Sequence, residues 1–143
     1  NDNSQDTHKW SNMIDSGSRK AWSGYAFEQV CLLHLPQIKN KLGIDTISTD
    51  ICSWQNDKAQ IDLVIDRRDR IINLCEMKFC DKPFSVTKSY LAKMEQRREY
   101  FAEATSATKA LHLTMIAPYG IANNSQSLKI QSVINMDDLF KTV

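Results

Sequence analysis

The chain has 143 residues, 42% of them apolar and 24% charged, and a net charge of only +1. That length buries a sound core in one domain, and the charge balance excludes a strong global field for nucleic acid. No apolar stretch approaches the roughly 18 residues of a membrane span, and no charged-apolar-small signal segment opens the chain, so a cytoplasmic protein without membrane attachment is expected.

Residues 1–20 are polar, rich in Asn, Ser and Asp, and read as a leader or linker remnant ahead of a domain at 21–143. The first residue is Asn rather than Met, which suggests a piece of a longer polypeptide, although tag removal gives the same result. Ser23 is placed to N-cap a helix from Gly24 onward, with Phe27, Val30, Cys31, Ile38 and Leu42 near one face. Pro36 should kink or divide that helix and Gly43 should stop it. Ile44 to Trp54 alternates and is β-branched, a first strand. Two short apolar runs follow, Ala59 to Ile65 and Ile71 to Phe79, joined by the polar turn Asp66-Arg67-Arg68-Asp69-Arg70.

Lys82 to Thr87 is a connector, and Ser89 starts a helix that runs to about Glu103, with Leu91, Met94, Tyr100 and Phe101 available for packing. Ala110 to Ala117 predicts a fourth strand, closed by Pro118-Tyr119-Gly120, then Leu128 to Ile134 a fifth and Met136 to Lys141 a short helix. The first three strands should form an antiparallel meander, and the helical crossover to the fourth a right-handed parallel unit. The fold class is therefore α/β, a mixed sheet with helices on both faces. Cys31, Cys52, Cys75 and Cys80 show no CxxC pair or zinc spacing. The first three read as buried small hydrophobes in a reducing cytosol. His8, His34 and His112 are scattered; His34 on a helix and His112 in a strand pattern read as packed or capping residues rather than ligands.

Two carboxylates and an amine interrupt the second and third strands. Asp62 lies in the first run and Glu76-Met77-Lys78 ends the second. With a turn at Arg67 to Arg70, Asp62 falls opposite Glu76, where paired Cβ atoms are about 5 Å apart. Like charges that close raise a pKa or recruit a cation. Side chains alternate across a strand, so Glu76 and Lys78 share a face, and Gln60 shares the face of Asp62.

The order acid, hairpin, Glu-X-Lys resembles the PD-(D/E)XK nuclease superfamily, with Glu28 in Gly24-Tyr25-Ala26-Phe27-Glu28 standing where that family carries a helical glutamate. More narrowly, Trp22 to about Phe140 is similar to the nuclease-like domain at the C-terminus of certain prokaryotic AAA-type ATPases. Ile61-Asp62 replaces the eponymous Pro-Asp. The resemblance implies a restriction-endonuclease-like αβββαβ core and metal-dependent hydrolysis of phosphodiesters in nucleic acid, DNA before RNA. It implies that Asp62 and Glu76, with the Met77 carbonyl, bind Mg²⁺ or Mn²⁺, and that Lys78 orients the attacking water or stabilises developing charge. Glu28 would bind a second metal or hold a metal water.

Gln60, Lys88, Lys93 and Arg97 are the residues expected to meet nucleic acid, although a solvated helix face accounts for the basic cluster of Lys82, Lys88, Lys93, Arg97 and Arg98 equally well. No phosphate loop of the Gly-x-x-x-x-Gly-Lys-Ser/Thr kind occurs, so an ATPase would have to be an attached domain. Two other readings are a silent nucleic-acid-binding or regulatory module, and a protein-interaction domain in which Asp62 and Lys78 form an incidental ion pair. Oligomeric state stays open.

Overall fold

The computed structural model describes residues 16–143, with side chains from residue 23 onward; the expected leader lies outside it up to residue 15. Helix α1 (Ser16–Leu33) begins ahead of the expected start, so Ser23 lies inside the helix rather than at its cap. The chain breaks at His34 and restarts as α2 (Leu35–Lys41), with Pro36 in the first turn of the new helix. There the missing proline N–H costs nothing, whereas one turn later it would remove a helical bond. Gly43, at φ +74°, closes α2. Its N–H meets Asn40 O and the Ile44 N–H meets Lys39 O, both at 2.9 Å, the paired bonds of a Schellman cap.

Strands β1 (Thr49–Gln55), β2 (Gln60–Arg67), β3 (Ile71–Met77), β4 (Ala110–Ile116) and β5 (Ser132–Ile134) lie side by side in sequence order. The first three pair antiparallel and the last three parallel, the mixed sheet expected from the crossover through helix α3 (Lys88–Thr105). Thr87 caps α3, accepting the Tyr90 N–H with its side chain. A one-turn helix α4 (Met136–Leu139) follows β5, held by an Asn135–Asp138 capping box.

Side-chain alternation sorts the core into two layers. Leu63, Ile65, Cys75, Met77 and Ile116 pack toward Phe27, Cys31, Ile38 and Leu139 from α1, α2 and α4. On the opposite face Val64, Ile72, Leu74, Leu113 and Met115 meet Leu91, Met94 and Phe101 of α3. Three expectations change. The first strand starts at Thr49, because Ile44 is spent on the helix cap and its side chain is buried in the α1 layer. The fifth is shortened to three residues by a 3₁₀ turn at Ser127–Lys129. Cys52 is exposed on the edge strand β1 rather than buried; all four cysteines are free.

A polar network crosses the sheet from the β2–β3 hairpin to β4. Asn73 is fully buried; its Oδ1 accepts from Arg67 Nη1 and its Nδ2 donates to Thr114 Oγ1, both at 3.0 Å. Arg67 also grips Asp69 through Nε and Nη2 at 2.9 and 2.7 Å, and this bond holds the Asp69 carboxyl below its ordinary value. No helix among the described residues is long and apolar enough to cross a membrane.

Candidate functional site

Asp62 sits where β2 changes register. Against β1, Cys52 pairs with Val64 but Trp54 pairs with Ile61, so β2 carries one extra residue between them. Such a bulge bends the strand and re-aims its side chains. Its effect is visible in the packing, because Ile61 joins Val64 in the α3 layer, which strict alternation would forbid. The inference that Gln60 shares the face of Asp62 rested on that alternation. Gln60 is exposed at the start of β2, opposite Gln55.

The ladder between β2 and β3 runs from Asp66↔Ile72 to Leu63↔Cys75. One further step brings Asp62 level with Glu76, as the sequence predicts. Here the strands stop pairing, and the Met77 N–H donates instead to Asp62 Oδ2 at 3.0 Å. Met77 therefore orients Asp62 through its amide, while its side chain is buried in the α1 layer.

Glu76 faces the other layer. Two side chains of α3 hold it: Tyr90 donates its hydroxyl to Oε2 at 3.3 Å, and Arg97 Nη1 lies 2.9 Å from Oε1. Nη1 is buried and poorly aligned for hydrogen bonding, so charge more than a directed hydrogen bond holds that contact. Lys78 anchors its backbone N–H on Ile116 O at 2.9 Å. Its ammonium lies 5.6 Å from the Phe84 ring and 5.8 Å from that of Tyr90, two rings packed edge to face. Tyr90 thus touches both ends of Glu-X-Lys. Sequence reasoning passed over it, and the available signal was its place one turn before Met94 at the start of a helix with an apolar face.

The electrostatics tie three carboxyls together. Burial first, then the charge of Asp62, push Glu76 up, against the opposing pull of Arg97 and Tyr90. Glu28, exposed on α1, is pushed up by the same two causes in the same order. Burial, then Glu76, push the Tyr90 hydroxyl up, which keeps it a donor. Burial pushes the Cys31 thiol up to about 12, with Glu28 and Asp62 adding to it, and Cys75 moves the same way, so neither is a ready nucleophile.

A carboxyl raised in the fold gives up its proton more readily in the unfolded chain. Glu76 therefore makes stability fall as pH rises from its ordinary 4.5 through its raised value. Glu76→Gln is expected to flatten that limb of a stability profile measured by urea unfolding from roughly pH 4 upward through neutrality.

The donors suit a hard divalent cation: carboxylates from β2 and β3 share one field with a third on α1, and a cation would relieve it. Among the described residues, however, no three His, Cys, Asp or Glu side chains converge to hold a metal as they stand. Glu76 is instead engaged by Tyr90 and Arg97 of α3. Between α3 and the sheet a crevice of about 20 Å³, lined by Glu76, Met94, Arg97 and Leu113 among others, admits no more than a water-sized occupant. Lys88 and Lys93 are exposed on α3, whereas Arg97 is turned in to Glu76.

One family model, DUF234, described as "Archaea bacterial proteins of unknown function", matches residues 3–103. No curated protein and no solved structure matches the chain.

Proposed function

The chain belongs to the DUF234 family, and we propose that it is a PD-(D/E)XK-type nuclease domain that hydrolyses phosphodiester bonds in nucleic acid, DNA in the first instance, with Mg²⁺ or Mn²⁺. The observation that carries this reading is the placement of Asp62 level with Glu76 at the point where β2 and β3 part, with Lys78 one residue past the end of β3. Asp62, Glu76 and the Met77 carbonyl would hold the ion, and Glu28 would supply a further carboxylate from α1. When bound, the ion would acidify a water and neutralise charge on the transferring phosphoryl group. Asp62 is oriented for this by the Met77 amide, which takes one carboxylate oxygen; among the described residues no hydrogen bond takes the other. Lys78, held over two rings, is poised to orient the attacking water or to meet negative charge as it grows. Lys88 and Lys93 would follow the backbone without reading sequence. We extend the reading to a cytoplasmic protein whose nuclease-like part is attached to an AAA-type ATPase.

A Mn²⁺-dependent cleavage assay on supercoiled, linear and single-stranded DNA and on RNA tests it. Wild type should turn over at least one substrate, and Asp62→Asn should lose about a hundredfold or more. No turnover on any substrate would sink the hydrolytic reading.

The contact between Arg97 and Glu76 favours a second reading. A guanidinium fixed on the central carboxylate would leave a domain that binds nucleic acid or regulates its ATPase without cutting. Affinity for DNA without turnover, unchanged by Mn²⁺, would be its mark.

A further inference from the structure

Arg97 contacts the carboxylate that the proposed metal site would share. It and Tyr90 are seven residues apart on α3, two helical turns, and so share one face of the helix. That face delivers a phenol and a guanidinium to the two oxygens of one carboxylate. The two contacts differ in kind. Tyr90 makes an aimed hydrogen bond and is braced by Phe84, its ring centroid 4.9 Å away. Arg97 makes a close charge contact without N–H alignment, and its side chain keeps 32% of its surface in solvent. A cation held more by charge than by directed bonds, with part of its side chain in solvent, gives up its contact at lower cost than one held by an aligned fork.

We propose that Arg97 is a positioning residue that acts as the resident counter-cation of Glu76 and sets how tightly the site takes a divalent ion. At rest its guanidinium offsets the repulsion between Asp62 and Glu76. Entry of Mg²⁺ or Mn²⁺ requires that contact to be given up, so the ion binds against a built-in competitor. Tyr90 keeps Glu76 oriented during the exchange. The inference rests on the metal-site reading above, and it accounts for why the donors are chemically suited to a divalent ion but do not converge.

Mn²⁺ binding to metal-stripped protein, followed by calorimetry and by thermal melting, tests it in wild type, Arg97→Gln, Arg97→Lys and Glu76→Gln. Arg97→Gln should bind Mn²⁺ about tenfold more tightly, the order associated with one charge-assisted contact. It should also gain more in Tm from Mn²⁺ than wild type does. Arg97→Lys, a point charge without the fork, should fall between the two; Glu76→Gln should lose most of the affinity. A purely structural arginine would lower Tm equally with and without Mn²⁺ and leave the affinity unmoved. Wild-type binding with equal or weaker binding in Arg97→Gln overturns the inference and leaves the metal site standing. If Arg97→Gln does not fold, the same comparison is read from Arg97→Lys. Absence of Mn²⁺ binding in wild type and both Arg97 variants at millimolar ion overturns the metal site itself, and the inference with it.

Discussion

Lys78→Ala is expected to lower turnover of nucleic acid by about two to three orders of magnitude while leaving Mn²⁺ affinity close to that of wild type. The two effects separate because Lys78 supplies no oxygen ligand and, among the described residues, forms no ion pair with Asp62 or Glu76. Its side chain is held by aromatic rings, and its main-chain bond to Ile116 survives truncation. The stability penalty should be about 1 kcal/mol, the scale of a partly exposed cation–π contact. Lys78→Arg should not restore activity, since a planar fork needs more room than the ammonium occupies between Phe84 and Tyr90. Single-turnover cleavage beside calorimetric Mn²⁺ titration provides the check. Equal loss of metal binding and turnover would mean that Lys78 shapes the site rather than serving the reaction.

The second large effect concerns folding. Asn73→Leu should destabilise the domain by about 2–4 kcal/mol and lower Tm by on the order of 10 °C. Leucine fills nearly the same space, so packing is preserved and the loss is electrostatic. Arg67 Nη1 loses its buried acceptor, and Thr114 Oγ1 its donor, across three strands. The Arg67 side chain is only 10% exposed, so water cannot freely substitute. Arg67→Met combined with Asn73→Leu should recover part of the loss by removing the unsatisfied Nη1 donor, less what goes with the Asp69 pair. Because neither Asn73 nor Arg67 has a hydrogen bond or ion pair to Asp62 or Glu76 among the described residues, Mn²⁺ affinity should be unchanged. Thermal melting of the single and double variants separates these outcomes.

Much of this architecture is legible in the order of the residues. Pro36 and Gly43 mark the helix break and stop because each has one backbone conformation that it serves best. The turn between Ile65 and Ile71 is polar enough, and its flanks apolar enough, to define the hairpin and its register, and with them the level placement of Asp62 and Glu76. The bulge is not legible. A bulge adds a residue without changing composition, so nothing around Asp62 reveals that alternation fails from Ile61 onward. The partners of Glu76 are equally hidden, because Tyr90 and Arg97 come from a helix that follows the motif and their reach depends on how α3 crosses the sheet. Arg97 reads as a phosphate contact since an arginine on an exposed helix face and one turned inward look alike in one dimension. Cys52 misleads for a related reason: an edge strand is as β-branched as a central one.

The burial of Met77 has a consequence for how such a motif is searched for. Written as Glu-X-Lys, the tripeptide places no restriction on its middle position and therefore arises by chance in many unrelated chains. In this fold that position does two things: its side chain completes the layer beneath α1, and its amide presents the strand edge that turns Asp62. A lysine or glutamate there would have to enter an apolar layer, and a proline would have no amide to offer. The blank is a packing constraint, so the pattern carries more information when written acid, apolar, lysine. Applied with an aspartate-bearing strand upstream, that single restriction discards most accidental matches.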